Sequence, residues 1–226
     1  MKKRIFSIAM VLALMLTLLP AAALADDIVV ITPAEYNVWV GTTRITSANA
    51  SDVLGDGTVS YTPASGDTAP ILTLKNASVT SAYDGVCSDG ANGKSPISAC
   101  VYAGTALTIS LSGGSTLAGP KADSCTCGVY AAGDLTFTGD GCLAAAGGES
   151  ASNGCGIYCD GNVTFAGSGR VTAVGGNSLK TPDSIGVYAT GTVTVSGAGE
   201  VVAVGGEGAG SSGITCKGLT ASSGKL

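Results

Sequence analysis

The chain of 226 residues contains no histidine. That removes the side chain that most often serves as a general base near neutral pH, the Ser–His and Cys–His nucleophile pairs, and every imidazole metal ligand. Arginine is almost as scarce, with only Arg4, Arg44 and Arg170, so no guanidinium cluster exists to grip phosphates or the acid groups of a uronic polymer. Aromatic residues make up 5% and charged residues 12% of the chain. No window places apolar residues at a 3.6-residue period, which excludes amphipathic helices as the building unit. Beyond residue 25 there is no apolar run of membrane length, so no transmembrane segment is expected in the mature chain.

What the chain does contain is a repeat. Cys127-Gly128-Val129-Tyr130 is followed by Leu135-Thr136-Phe137 and Leu143-Ala144-Ala145-Ala146-Gly147-Gly148. The block returns as Cys155-Gly156-Ile157-Tyr158, Val163-Thr164-Phe165 and Val171-Thr172-Ala173-Val174-Gly175-Gly176, and again from Gly186-Val187-Tyr188 to Gly205-Gly206. Tyr130, Tyr158 and Tyr188 therefore stand 28 and then 30 residues apart. Each copy holds three short runs of β-branched and aromatic residues with period-two alternation, separated by Gly, Asp, Asn and Ser. Three strands per copy and no crossover helix predict an all-β fold: a parallel β-helix of about 28 residues per coil, in which one repeat position stacks into a column at roughly 4.8 Å per coil.

The ends differ from the middle. Lys2, Lys3 and Arg4 precede an apolar run over residues 8–19 and the small-x-small site Ala23-Leu24-Ala25, which predicts a signal peptide over 1–25 and a secreted or cell-surface protein. Its removal takes three of eleven basic residues and none of the sixteen acidic ones, and the acidic balance that remains argues against nucleic acid and anionic membranes as partners. Residues 26–70 predict an N-terminal β cap with a hairpin at Gly41-Thr42-Thr43, since a stack of coils needs its exposed end closed. Residues 71–226 carry the coils, with a Gly/Asp/Ser-rich excursion at 81–96. The last copy stops short of its third strand at Leu226, which points to further domains of a longer protein, with an end covered by self-association as the alternative. Eight cysteines in an exported chain raise the question of disulfides. Cys127 and Cys155 share one repeat position, where a bridge and two free thiols are equally compatible with strand spacing.

Three columns are candidate functional surfaces. Val129 and Ala131 facing inward would leave Tyr130 outward, with Tyr102, Tyr158 and Tyr188 in line, an aromatic row of the kind that stacks on sugar rings. Thr136, Thr164 and Thr194, with Thr108 and Thr220, form a hydroxyl row able to hydrogen-bond a polymer, though threonine is also simply a good residue for the wet side of a strand. Such a row is what an ice-binding surface would need as well. Asp134, Asp140 and Asp160 stand at predicted corners and are candidate calcium ligands. Asp134 shares its position with Asn162 and Thr192, a column suited equally to calcium and to a side-chain hydrogen-bond ladder. Arg170 aligns with Glu200 and predicts a surface ion pair.

The stretch Val38-Trp39-Val40-Gly41, Ser47 through Tyr61 and Leu72-Thr73-Leu74-Lys75-Asn76-Ala77, together with the Gly-Ile/Val-Tyr and Val-Thr-Phe coils, resembles the calcium-associated, carbohydrate-binding right-handed β-helix family of bacterial surface proteins, which implies a right-handed parallel β-helix. That resemblance implies a non-catalytic binder of extracellular or cell-wall polysaccharide, with calcium bound. A structural stalk or adhesin passenger is the alternative. Parallel β-helices also include lyases and hydrolases, but no coil gathers paired carboxylates or a base with cationic stabilisers, so an enzyme is not expected.

Overall fold

In a computed structural model, residues 32–88, 93–150, 152–178, 183–208 and 210–226 are described; the predicted signal peptide lies outside them. Residues Ala34–Leu226 form one compact unit. Three strands open it: β1 (Glu35–Val40), β2 (Thr43–Thr46) and β3 (Val59–Thr62). The turn at Gly41, which adopts φ +56°, joins β1 to β2 as the predicted hairpin, pairing Val40 with Thr43. Next come β4 (Ile71–Lys75), β5 (Ser78–Val79) and β6 (Tyr83–Ser88).

The coils follow in triplets. The first is β7 (Lys94–Ala103), β8 (Leu107–Ser112) and β9 (Gly114–Ala118). The second is β10 (Cys125–Ala131), β11 (Leu135–Gly139) and β12 (Cys142–Ala146). The third is β13 (Gly154–Cys159), β14 (Val163–Phe165) and β15 (Arg170–Val174), and the fourth β16 (Ser184–Ala189), β17 (Thr192–Val195) and β18 (Glu200–Val204). Finally, β19 (Ser212–Thr215) and β20 (Gly218–Ala221) continue the first two sheets.

Every third strand pairs in parallel with its counterpart one coil away, which builds three sheets. They run β19-β16-β13-β10-β7-β1-β2, β20-β17-β14-β11-β8-β4-β3 and β18-β15-β12-β9-β5. The fold is therefore a parallel β-solenoid of about four turns with about 28 residues per turn. Register follows the sequence repeat: Tyr130 pairs with Tyr102 and Tyr158, Thr136 with Thr108 and Thr164, and Arg170 with Glu200. Ahead of the first full triplet β4 runs parallel to β8 and β5 parallel to β9, two strands of an incomplete coil. At the N-terminal end β1 and β3 pair antiparallel with β7 and β4, so the stack is closed there by strands that run against it.

Alternate residues of each strand fill the interior. Val129, Ala131, Leu135, Phe137, Leu143 and Ala145 of one coil meet Ile157, Val163, Phe165, Val171 and Ala173 of the next, all in one buried cluster. Phe137 and Phe165 stack with ring centres 5.1 Å apart and planes 9° from parallel. One polar corner is tied together along the stack: the Asn162 backbone N–H and side-chain amide both donate to Asp134 Oδ1, at 2.8 and 3.1 Å, and Thr192 donates twice to Asn162 Oδ1. The Asp134 column is thus a hydrogen-bond ladder.

One segment departs from the sequence expectation. The excursion at 81–96 is not merely a loop: β6 pairs antiparallel with the first half of β7, from Tyr83 opposite Ala99 to Ser88 opposite Lys94. This hairpin folds over the outer face of the first sheet and creates a second buried layer there.

Candidate functional site

The second layer holds the tyrosines. They stack in the predicted order, with ring centres 4.9 Å apart for Tyr102–Tyr130, 5.8 Å for Tyr130–Tyr158 and 4.7 Å for Tyr158–Tyr188. Trp39 and Tyr83 extend the row, stacked at 4.1 Å. The column is on the outer side of the sheet, as alternation predicts, but it is not open. Tyr102, Tyr130 and Tyr158 are 7%, 2% and 7% exposed, and Tyr188 is half-buried. The reason is the hairpin: Tyr102 Oη donates to Val86 O at 3.0 Å and Tyr158 Oη to Ser88 O at 2.9 Å. The expectation of an exposed stacking platform is corrected accordingly.

Tyr130 donates instead to a carboxylate, Asp160 Oδ2, at 2.7 Å, and the same oxygen accepts the Ser88 backbone N–H at 3.1 Å. Burial, reinforced by this bond, raises the Tyr130 phenol well above its ordinary value; burial likewise raises Tyr158 and Tyr102. The other Asp160 oxygen, Oδ1, is buried and has no hydrogen-bond partner. Asp160 lines an open groove of about 710 Å³ between the hairpin and the sheet, with Asn37, Ser88, Lys94, Tyr102 and Tyr130.

Four cysteines sit in the same layer: Cys87, Cys125, Cys127 and Cys155. Cys127 and Cys155 are register partners, as the repeat predicts, and their thiols are free. Burial pushes the Cys87 thiol up to about 12, Cys125 is raised by its hydrogen bond with Cys155 and by burial, and burial raises Cys127 as well. These three thiols stay protonated near neutrality, so none of them is set up as a nucleophile.

The threonine column has the opposite fate. Thr108, Thr136, Thr164 and Thr194 are half-buried and Thr220 is exposed, on the outer face of the second sheet. Parallel pairing keeps them in one line, coil on coil. Beside them Thr73, Ser110 and Thr138 make a second, shorter line of register partners. The hydroxyls therefore form a flat array of the kind the sequence suggested.

The candidate calcium ligands do not converge. Asp134 belongs to the corner ladder, Asp160 to the tyrosine layer, and Asp140 lies at the next corner near Arg170 and Glu200, which pair at 3.2 Å. Among the described residues no group of three or more Cys, Asp and Glu side chains gathers in a metal-holding arrangement. The hairpin over the tyrosines and the unpaired Asp160 oxygen were not read from sequence; the signal was the Tyr83–Cys87 alternation just before the Gly-rich stretch.

Fold and surfaces together define a three-sheet parallel β-solenoid with one hydroxyl face and one covered aromatic face. Comparison with protein-family models, curated proteins and solved structures returned no match.

Proposed function

We propose that the protein is a non-catalytic, extracellular β-solenoid that binds polysaccharide along the hydroxyl face of its second sheet. The observation that carries this reading is the unbroken, in-register column Thr108, Thr136, Thr164, Thr194 and Thr220, partly exposed across successive coils. A hydroxyl both donates and accepts, so a row of them matches the hydroxyls of a neutral polymer without needing charge. Rigid backbone holds the row flat, which limits the ordering cost of binding. The scarcity of arginine and histidine fits a neutral rather than an acidic glycan.

Retention on insoluble polysaccharides tests the reading. The wild-type chain is retained on at least one neutral glycan. The triple variant Thr136→Val, Thr164→Val and Thr194→Val keeps the β-branched shape but is held roughly tenfold more weakly or worse, since three hydrogen bonds at about 0.5–1.5 kcal/mol each are lost. A second reading, a stalk or adhesin passenger without glycan specificity, is favoured by the covered tyrosine column. It wins if no glycan retains the protein, or if the triple variant is retained as well as wild type.

A further inference from the structure

Strand β6 sends one side chain inward. Its residues stay half-exposed or exposed up to Cys87, the single buried position, which lies between the exposed Val86 and Ser88. The hairpin is clasped to the first sheet on both sides of that residue, through Val86 O by Tyr102, through Ser88 O by Tyr158 and through Ser88 N by Asp160. At the centre of the clasp the chain places a thiol, against a layer that already holds Cys125, Cys127 and Cys155.

The sheet holds its own three cysteines apart. Cys127 and Cys155 are register partners, so their backbones stand roughly 4.8 Å apart with side chains parallel, whereas a relaxed disulfide brings the Cβ atoms to about 3.8 Å. Cys125 lies two residues off the register of Cys155 on the neighbouring strand, a longer diagonal. It is also two residues from Cys127 along one extended strand, a span of roughly 6.6 Å. Cys87 comes from a different layer, and no ladder fixes its distance to the sheet; a small shift of the hairpin as a body changes it. After burial itself, the Cys125 thiol acts most strongly on that of Cys87, so the two are neighbours. They are also the members of the cluster that a reagent can approach. Cys87 and Cys125 are 4% and 6% exposed and border open grooves of about 710 and 580 Å³, while Cys127 and Cys155 are sealed at 0%.

We propose that Cys87 and Cys125 are an oxidative modification site, joined in the oxidised protein by a disulfide that staples the hairpin over the tyrosine row. The oxidant is an organic disulfide, R–S–S–R. One cysteine thiolate attacks it, forming a mixed disulfide and releasing RS⁻; the second thiolate then displaces the other RS⁻, and the two thiol protons leave as 2 RSH. Two electrons pass from the cysteine sulfurs to the reagent. Because the docked thiols stay protonated, the exchange runs while the hairpin is still open, and docking then shields the bond from reductants. The proposal rests on the extracellular part of the reading above, since such bonds persist in oxidising compartments, and not on glycan binding.

Full-length protein, reduced in denaturant and refolded with reduced and oxidised glutathione, provides the test. Remaining thiols are alkylated and the peptides mapped by mass spectrometry. Two of the eight cysteines escape alkylation, and they are Cys87 and Cys125 in one cross-linked peptide pair, with fragment ions that part Cys125 from Cys127. Cys87→Ser leaves every remaining thiol free, and Cys127→Ser keeps the bridge. The oxidised wild type melts several degrees above its reduced form, and chymotrypsin cuts it near Tyr83 several-fold more slowly; Cys87→Ser shows neither difference. Glutathione supplies the oxidant, so the result depends neither on where the protein resides nor on whether a glycan binds it. The proposal is overturned if all eight thiols are alkylated after refolding, if the bridge joins Cys155 to Cys127 or to Cys125, or if the bridge forms without slowing cleavage of the hairpin. Should a variant fail to fold, the wild-type map alone decides the pairing.

Discussion

Phe137 shows how much one side chain contributes to a stacked coil. It is 1% exposed, lies flat on Phe165, and has the next coil's apolar layer on either side. Phe137→Ala is expected to cost about 3–5 kcal/mol, because the rigid coils above and below cannot collapse into the hole. Denaturant unfolding of the purified variant measures it. Thr172, half-buried on the outer face of the third sheet, provides the control: its change to Ala should stay within about 0.5 kcal/mol. At the same scale, Tyr130→Phe removes a donor to Asp160 and leaves a carboxylate oxygen with only the Ser88 N–H. A loss of about 1–3 kcal/mol is expected, seen as a lowered unfolding midpoint without change in the far-ultraviolet spectrum.

At the scale of elements, the hairpin of β6 and β7 is the part that decides which surface the protein shows. Gly85 passes so close to Tyr102 that a Cβ there would overlap its ring. Gly85→Val should therefore lift the hairpin off the tyrosines while the solenoid remains folded. Chymotrypsin should then cut near Tyr83 or Tyr102 several-fold faster than in wild type, at unchanged β-sheet content; equal cleavage rates would mean that the hairpin does not depend on that close approach. The corners form the other element-level feature. The Asp134–Asn162–Thr192 ladder ties three coils together through side chains. Much of that ladder was legible in the sequence, since the three residues share one repeat position and all carry oxygen. The hairpin was less legible: Gly85 and Ser88 read as turn chemistry, and only contact with Tyr102 and Tyr158 gives the segment a reason to be a strand.

For the whole molecule, coil stacking makes stability nearly a sum of neighbour terms. Removing residues 131–158 joins Tyr130 to Cys159 in register, since Tyr130 and Tyr158 are equivalent. The shortened chain should still fold, with a denaturant m-value reduced in proportion to the surface removed. A second consequence follows from the buried phenols and thiols. Tyr61, Tyr102, Tyr130, Tyr158 and Tyr188 are all raised by burial, as are Cys100, to about 12, and Cys159, to about 11. The folded state keeps protons that the unfolded chain releases from about pH 8.5 for thiols and about pH 10 for phenols. Their contribution to stability is therefore fully present below about pH 8.5 and is lost as pH rises through 9 to 12. Unfolding midpoints measured across that range under reducing conditions check the sign.

Sequence alone determined the coil: the period, the three strands per turn, the inward Val, Ile, Leu and Phe, and the columns of Tyr and Thr. It could do so because a repeat that pairs with itself one period away carries its long-range contacts in its own spacing. Tertiary structure decided what covers those columns. Whether an outward tyrosine meets water or another strand depends on a non-repeating segment whose partners lie up to 72 residues away, as Ser88 and Asp160 do. No local pattern specifies that pairing, because it arises from the fit of one hairpin to a surface that exists only once the coils have stacked.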